Sequence, residues 1–315
     1  MPSSTSSSEA IARADTASVR SRASDRSIWV ILAGICLIGV TFEAIAVFGL
    51  HRMSRIEHRI DEEYRDVLAL PAYSSANTPT MLLLGNSLLL EGVDLDSLRT
   101  SVAGKYDVHR LVIEQTEYLD LYYVLRKLFR SGSRPHDVVL CLSVPHLIAD
   151  DNRGEFMARY MDTVDVAALS RRKGMDATTT SNYFFAHWSD WYANRAEIRK
   201  FVLGAILPDA RDLATVLGYR PAPKIPIAEI EAKSAPRLLE LKELCDQYGS
   251  RLTILVPPSL REDNVESLVK VGDKLGVRVL VPEPTSEANR SMFRDGVHLN
   301  PAGAQIFTTK LGSEL

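Results

Sequence analysis

Three patterns of apolar residues follow one another along this chain. From Ile28 to Leu50 the apolar positions run almost unbroken, relieved by small residues and by one acid, Glu43. From Ile56 to Val67 they recur near helical spacing, at Ile56, Ile60, Tyr64 and Val67, within a strongly charged stretch. From residue 78 onward, short continuous runs alternate with helical-period segments. The runs Met81–Leu84, Val108–Glu114, Val138–Leu142, Arg251–Val256 and Val277–Val281 each read as a buried strand. Between and after them, Tyr118–Phe129, Leu238–Leu244, Asp263–Leu275 and Pro301–Leu311 read as helices, and Leu95–Leu98 as a short one. Strand–helix–strand alternation predicts an α/β fold, a parallel sheet with helices on both faces.

Residues 147–236 interrupt that alternation. Asp150-Asp151-Asn152 is loop-like, the pattern beyond it is mainly helical, and Pro221, Pro223 and Pro226 mark a linker back to the core. This predicts a helical insertion over the sheet. Its aromatic cluster, Tyr183 to Tyr192, is expected to pack the insertion onto the domain, with stacking on sugar rings as the functional alternative.

The first pattern is long enough to cross a bilayer. At about 1.5 Å per residue, 28–50 reaches about 35 Å, and no small-residue cleavage site stands out. Glu43 is costly in hydrocarbon. It reads either as a neutral acid reaching toward the interface or as a contact with a membrane partner. Residues 1–27, rich in Ser, Ala and Arg, bury too little to order themselves and read as a disordered tail. Residues 51–77 read as a juxtamembrane helix and linker that carry the domain 78–315.

Composition narrows the function classes. A net charge of −3 leaves no basic footprint for nucleic acid. Cys36, Cys141 and Cys245 are far apart in apolar stretches and read as buried free thiols rather than a zinc site or a disulfide framework. Neither a Gly-rich phosphate loop nor a His-Glu-x-x-His motif occurs, so no cofactor or metal is expected.

The chemistry concentrates at the two ends of the α/β region. Met81-Leu82-Leu83-Leu84-Gly85-Asn86-Ser87 is a strand that stops at a glycine and presents a hydroxyl, at the carboxyl edge where open α/β sheets place their ligands. Ser87 is a nucleophile only if a base reaches it. Near the other end, Asp295 precedes His298 by three residues, a spacing that lets the carboxylate fix the imidazole tautomer.

Gly85-Asn86-Ser87 and Asp295-Gly296-Val297-His298-Leu299-Asn300 resemble the first and last blocks of the SGNH/GDSL hydrolases. The resemblance is closest to the membrane-anchored SGNH-like proteins of bacterial polysaccharide O-acetylation and teichoic-acid D-alanylation. It covers about residues 78–315. It implies an SGNH-type, flavodoxin-like three-layer sandwich behind one N-terminal transmembrane helix. It also implies Ser87 as nucleophile, His298 as base, Asp295 as its orienter, and a cytoplasmic tail with the domain periplasmic. The family's oxyanion donors at the second and third strand exits are missing. Gln115 or Thr116 would offer a backbone N–H instead, and Ser143 stands where an asparagine is expected. His146 nearby reads as structural, with a catalytic role as the alternative.

The function implied is O-acyl transfer onto a cell-surface or exopolysaccharide through an acyl-serine, with a membrane-bound partner delivering the acyl group. Two other readings stand beside it: a periplasmic carbohydrate esterase, and a non-catalytic scaffold that keeps the fold.

Overall fold

The computed structural model describes residues 27–50, 54–199, 225–260, 264–283 and 289–315. The predicted disordered tail, the linker prolines Pro221 and Pro223, and part of the insertion lie outside them. The chain divides into two compact units, Met1–Met53 and Ser54–Leu315.

In the first unit, α1 (Ser27–Phe48) is long and apolar enough to cross a membrane, with a mean hydropathy of 2.4. Only 6% of its apolar window is buried, so it is not the core helix of a folded domain. Its end winds into a π turn, Ala46–Leu50. Cys36 is exposed on this helix, which corrects the expectation that all three thiols are buried: an apolar neighbourhood in sequence is not a packed one in space. Cys141 and Cys245 are buried in the second unit as free thiols, and burial raises both pKa values, that of Cys245 to about 12.

The second unit opens with α2 (Arg55–Val67), which Ser54 caps by accepting from the Glu57 amide. β1 (Thr80–Gly85), α3 (Ser87–Gly92), α4 (Leu95–Ser101), β2 (Asp107–Val112), α5 (Tyr118–Arg130) and β3 (Asp137–Cys141) follow. Next come α6 (Val144–Ile148), a 3-10 turn over Gly154–Tyr160, α7 (Thr163–Lys173), α8 (Ala177–Trp188) and α9 (Asp190–Ala193). The chain returns through α10 (Ile227–Gln247), β4 (Arg251–Leu255), α11 (Val265–Leu275) and β5 (Arg278–Leu280). A 3-10 turn at Arg290–Met292 leads to α12 (Pro301–Glu314).

All five strands are parallel, in the order β2-β1-β3-β4-β5. This is the predicted α/β three-layer sandwich with an N-terminal apolar helix, in the flavodoxin-like strand order. The two-residue period of the strands splits the core. Leu82, Leu84, Leu111, Val138, Leu140 and Ile254 face the side covered by α2, α5, α10 and α11. Met81, Leu83, Val112, Val139, Cys141 and Leu255 face the side covered by α3, α4 and α12. β1 is buried along its whole length, as expected of a strand covered on both faces.

Three elements differ from the sequence pattern. The helix expected in the juxtamembrane stretch lies in the same compact unit as the sheet, Ser54–Leu315. Ile60 and Val67 are fully buried, and the polar face of α2 grips β2. Glu63 accepts from Arg59, from Arg110 through two nitrogens, and from the Val112 amide at 2.8 Å, while Arg59 also reaches the Val112 carbonyl and Glu114. Glu63→Ala would leave these donors with one shared acceptor fewer in a largely buried setting. The expected loss is about 2–3 kcal/mol, read as a lower urea midpoint at unchanged slope. The second difference is α3, six residues to which the sequence pattern assigns no element. The third is α10, which starts at Ile227 and runs through Pro236, although a proline normally ends the pattern.

Described parts of the insertion are helical. They are fastened to the rest by Asp120, whose Oδ2 accepts from the Arg153 amide at 2.9 Å, and by Arg237, which donates to the carbonyls of Leu147 and Ala149. Burial raises the Asp120 carboxyl to about 7. The aromatic cluster divides. Tyr183 is buried and bonds Asn152, in line with a packing role, while Phe185 and Trp188 stay 57% and 69% exposed.

Candidate active site

β1 ends against β3 so closely that only glycine fits. A Cβ on Gly85 would meet the Cys141 carbonyl oxygen and Leu89 Cβ, both at 2.9 Å. Asn86 follows in an extended conformation, 2% exposed. Its Oδ1 caps α3 by accepting from the Leu88 amide at 3.0 Å, and its Nδ2 donates to the Thr116 carbonyl at 3.0 Å. Asn86 therefore locks the exit of β1 to the loop after β2. Ser87 is the first residue of α3, with its backbone N–H among the amides that a helix start leaves unbonded within the helix.

The His298 loop is shaped independently. Phe293 and Leu299 form an antiparallel bridge, and the Arg294 amide donates to the His298 carbonyl at 2.9 Å. Gly296 takes a positive φ of 87°, which returns the chain toward Leu299. Asn300 caps α12 through the Gly303 amide, and its own amide donates to the Met292 carbonyl at 2.8 Å. Arg294 pairs with Glu91 of α3 at 2.9 Å, tying this loop to the helix that Ser87 begins.

These elements bring together the three residues that the sequence singled out. Ser87 Oγ lies 3.0 Å from His298 Nε2, and His298 Nδ1 lies 2.8 Å from Asp295 Oδ2. Asp295 Oδ1 accepts from the amides of Val297 (3.0 Å) and His298 (2.8 Å). Desolvation alone would raise the Asp295 pKa. The His298 amide and ring and the Val297 amide outweigh it and bring it down to about 2. An ionised Asp295 on Nδ1 favours the neutral tautomer whose Nε2 lone pair faces Ser87.

Beside this chain of three lies a crevice of about 250 Å³. Its walls include Leu88 and Val297, the neighbours of Ser87 and His298, together with Pro145, Pro257 and Pro258. Its polar lining is Glu117, Ser143, His146 and Ser259. Parallel register explains why Ser143 is here. Gly85 pairs with Cys141, so Ser87 and Ser143 lie the same two residues past that pair. Ser143 Oγ is 2.6 Å from His146 Nδ1.

Gln115 and Thr116 are placed differently. Gln115 is exposed in a left-handed conformation, with φ 59°. Thr116 is fully buried, its hydroxyl donating to the Ile113 carbonyl at 2.6 Å and its carbonyl accepting from Asn86. Neither is among the described residues that line the crevice. Glu43 lies on α1, in the other unit. Glu117 was not singled out by sequence reasoning; its only signal is the Glu117-x-x-Asp120 capping box that starts α5. Among the described residues no group of three or more His, Cys, Asp or Glu could hold a metal ion.

No family model matches the chain, and no curated protein matches it. Among solved structures, one described as "Crystal Structure of TesA" is similar over 74% of this chain and 95% of that one, at 12% identity and a TM-score of 0.37. At that distance the likeness carries no weight for the chemistry, which rests on this chain's own residues.

Proposed function

We propose that this chain is an SGNH-like serine acyl-transfer enzyme, held at a bacterial cytoplasmic membrane by α1, with its folded unit on the outer side. The observation that carries this reading is the hydrogen-bonded chain Ser87–His298–Asp295 at a strand exit, beside a crevice.

Ser87 Oγ attacks the carbonyl carbon of an acyl donor while His298 Nε2 takes its proton. Asp295 holds the imidazole and stabilises the imidazolium. The leaving group departs with the proton from His298, and an acyl-serine remains. An acceptor hydroxyl then attacks that ester as His298 takes its proton. The bond to Oγ breaks, and Ser87 recovers its hydrogen. With a sugar hydroxyl as acceptor the protein is an O-acyltransferase of exopolysaccharide. With water as acceptor it is a carbohydrate esterase.

Oxyanion donors come from the Ser87 amide and from Ser143. When His146 Nδ1 carries its proton it donates to Ser143 Oγ, leaving the Ser143 hydrogen to face the developing charge. Gln115 and Thr116 stay the other candidates, each through its backbone N–H. Glu43 is the candidate contact for a membrane partner that delivers the acyl group.

Turnover of p-nitrophenyl acetate by the full chain and by Asp295→Asn tests the reading. The amide keeps the shape but no longer fixes the tautomer, so kcat falls by about 10⁴. A loss under tenfold contradicts the assigned role. The rate–pH profile adds a second check. Asp295, with its pKa lowered to about 2, stays ionised at any higher pH, so an acid limb above pH 3 is not its titration.

A further inference from the structure

Ser143 stands before α6 as its N-cap residue, in an extended conformation, yet its hydroxyl takes no backbone amide of that helix. An N-cap hydroxyl ordinarily accepts from the second or third amide. The second residue of α6 is Pro145, which has no N–H to give. The third is His146, and there the ring answers in place of the amide: Ser143 Oγ lies 2.6 Å from His146 Nδ1. The turn closes without the hydroxyl. The Ser143 carbonyl accepts from the Leu147 amide at 2.9 Å, and the Pro145 carbonyl from the Ala149 amide at 3.0 Å.

That one contact decides what the hydroxyl can do. A serine hydroxyl has a single hydrogen to donate and lone pairs to accept with, and a neutral imidazole carries its hydrogen on one nitrogen only. If Nδ1 is bare, Ser143 gives it the hydrogen and has none left for the crevice. If Nδ1 carries the hydrogen, it donates to Oγ, and the Ser143 hydrogen is free to turn to the crevice whose wall both residues line. β3 lies beside β1 with Gly85 against Cys141, so this serine and Ser87 leave the sheet at the same level. An asparagine amide here would donate without help; a serine needs its hydrogen kept free.

We propose that His146 is a positioning residue of this site: it keeps a proton on Nδ1, donates it to Ser143 Oγ, and so aims the Ser143 hydrogen at the oxygen that turns negative when Ser87 attacks. The proposal deepens the acyl-serine reading above and rests on it. In that step the Ser87 Oγ bond to the carbonyl carbon forms, the carbonyl π pair moves onto oxygen, and His298 takes the Ser87 proton. Ser143 hydrogen-bonds the new oxyanion, and His146 neither gains nor loses a proton. The two imidazoles play opposite parts: His298 presents a lone pair to its serine, and His146 presents a hydrogen to its own.

The test is the initial rate of p-nitrophenyl acetate turnover by the full chain in detergent, with Ser87→Ala as the blank. His146→Ala should lower kcat about 10²-fold, as loss of one oxyanion donor does, with KM within about twofold of the wild type. His146→Asn places an amide nitrogen on Cγ, where Nδ1 stood, and should recover about tenfold of that loss. His146→Ala is then made in Ser143→Ala, which has no hydroxyl to aim, and in Ser143→Asn, whose amide donates by itself. In both backgrounds its further cost should shrink to about twofold or less. A ring that merely supports α6 would cost as much there as in the wild type. An undiminished cost in either background, or a loss carried by KM with kcat unchanged, overturns the proposal while leaving Ser87 as the nucleophile. Wild-type turnover no faster than the Ser87→Ala blank defeats the acyl-serine reading and this one with it.

Discussion

Ser87→Ala should abolish turnover, lowering kcat for an activated acetate ester by about 10⁴–10⁶ while leaving the fold intact. Separation of these two effects follows from the local structure. α3 is capped by Asn86, not by Ser87, whose only side-chain hydrogen bond among the described residues is to His298. Alanine at the first helical position is well tolerated, so thermal unfolding should be unchanged. His298→Ala should cost about as much, and the double variant little more than either single one, because the two act as a unit. Additive losses would mean that the pair does not function together. A variant that loses activity together with its thermal transition would mean that the helix start, not the hydroxyl, had been removed.

Gly303→Ala is expected to damage stability and activity together. A Cβ at Gly303 would stand 2.3 Å from the Met292 carbonyl oxygen and 3.0 Å from its carbonyl carbon. That oxygen already accepts from the Asn300 amide, so it is fixed backbone rather than a yielding side chain. Relief requires α12 and the turn at Arg290–Met292 to separate, with a cost of about 2–3 kcal/mol in overpacking. The His298 loop spans the gap between them. A displacement of its imidazole by about 1 Å would reduce turnover about 10²-fold. Calorimetry and ester turnover on the same preparation check both halves. A stable Gly303→Ala with full activity would show that the loop takes its shape without this contact.

Much of this architecture is legible in the order of residues. The five strands announce themselves because a parallel sheet covered on both faces needs unbroken apolar runs, and Met81–Leu84 is such a run. Ser87 and His298 are readable because each follows a short-range rule: a glycine at a strand exit, and a carboxylate three residues before an imidazole. Their meeting is not readable, since it depends on packing α3 and α12 on the same face of the sheet.

The other elements that escape do so for stated reasons. In α2 the charged face looks solvated from sequence, yet Glu63 and Arg59 spend their charge on Arg110, Glu114 and the β2 backbone. In α3 six residues are too few to show a period. In α10 Pro236 hides the first two turns.

The most direct measurement of the central claim is to map a covalent adduct. The full chain in detergent is treated with a serine-directed fluorophosphonate, digested, and read by mass spectrometry beside Ser87→Ala and His298→Ala. The prediction is one adduct on Ser87, absent from Ser87→Ala and slowed at least 10³-fold in His298→Ala. No adduct on folded protein, or labelling of Ser87 that is indifferent to His298, would contradict it and leave the chain as a scaffold that keeps the geometry without the chemistry.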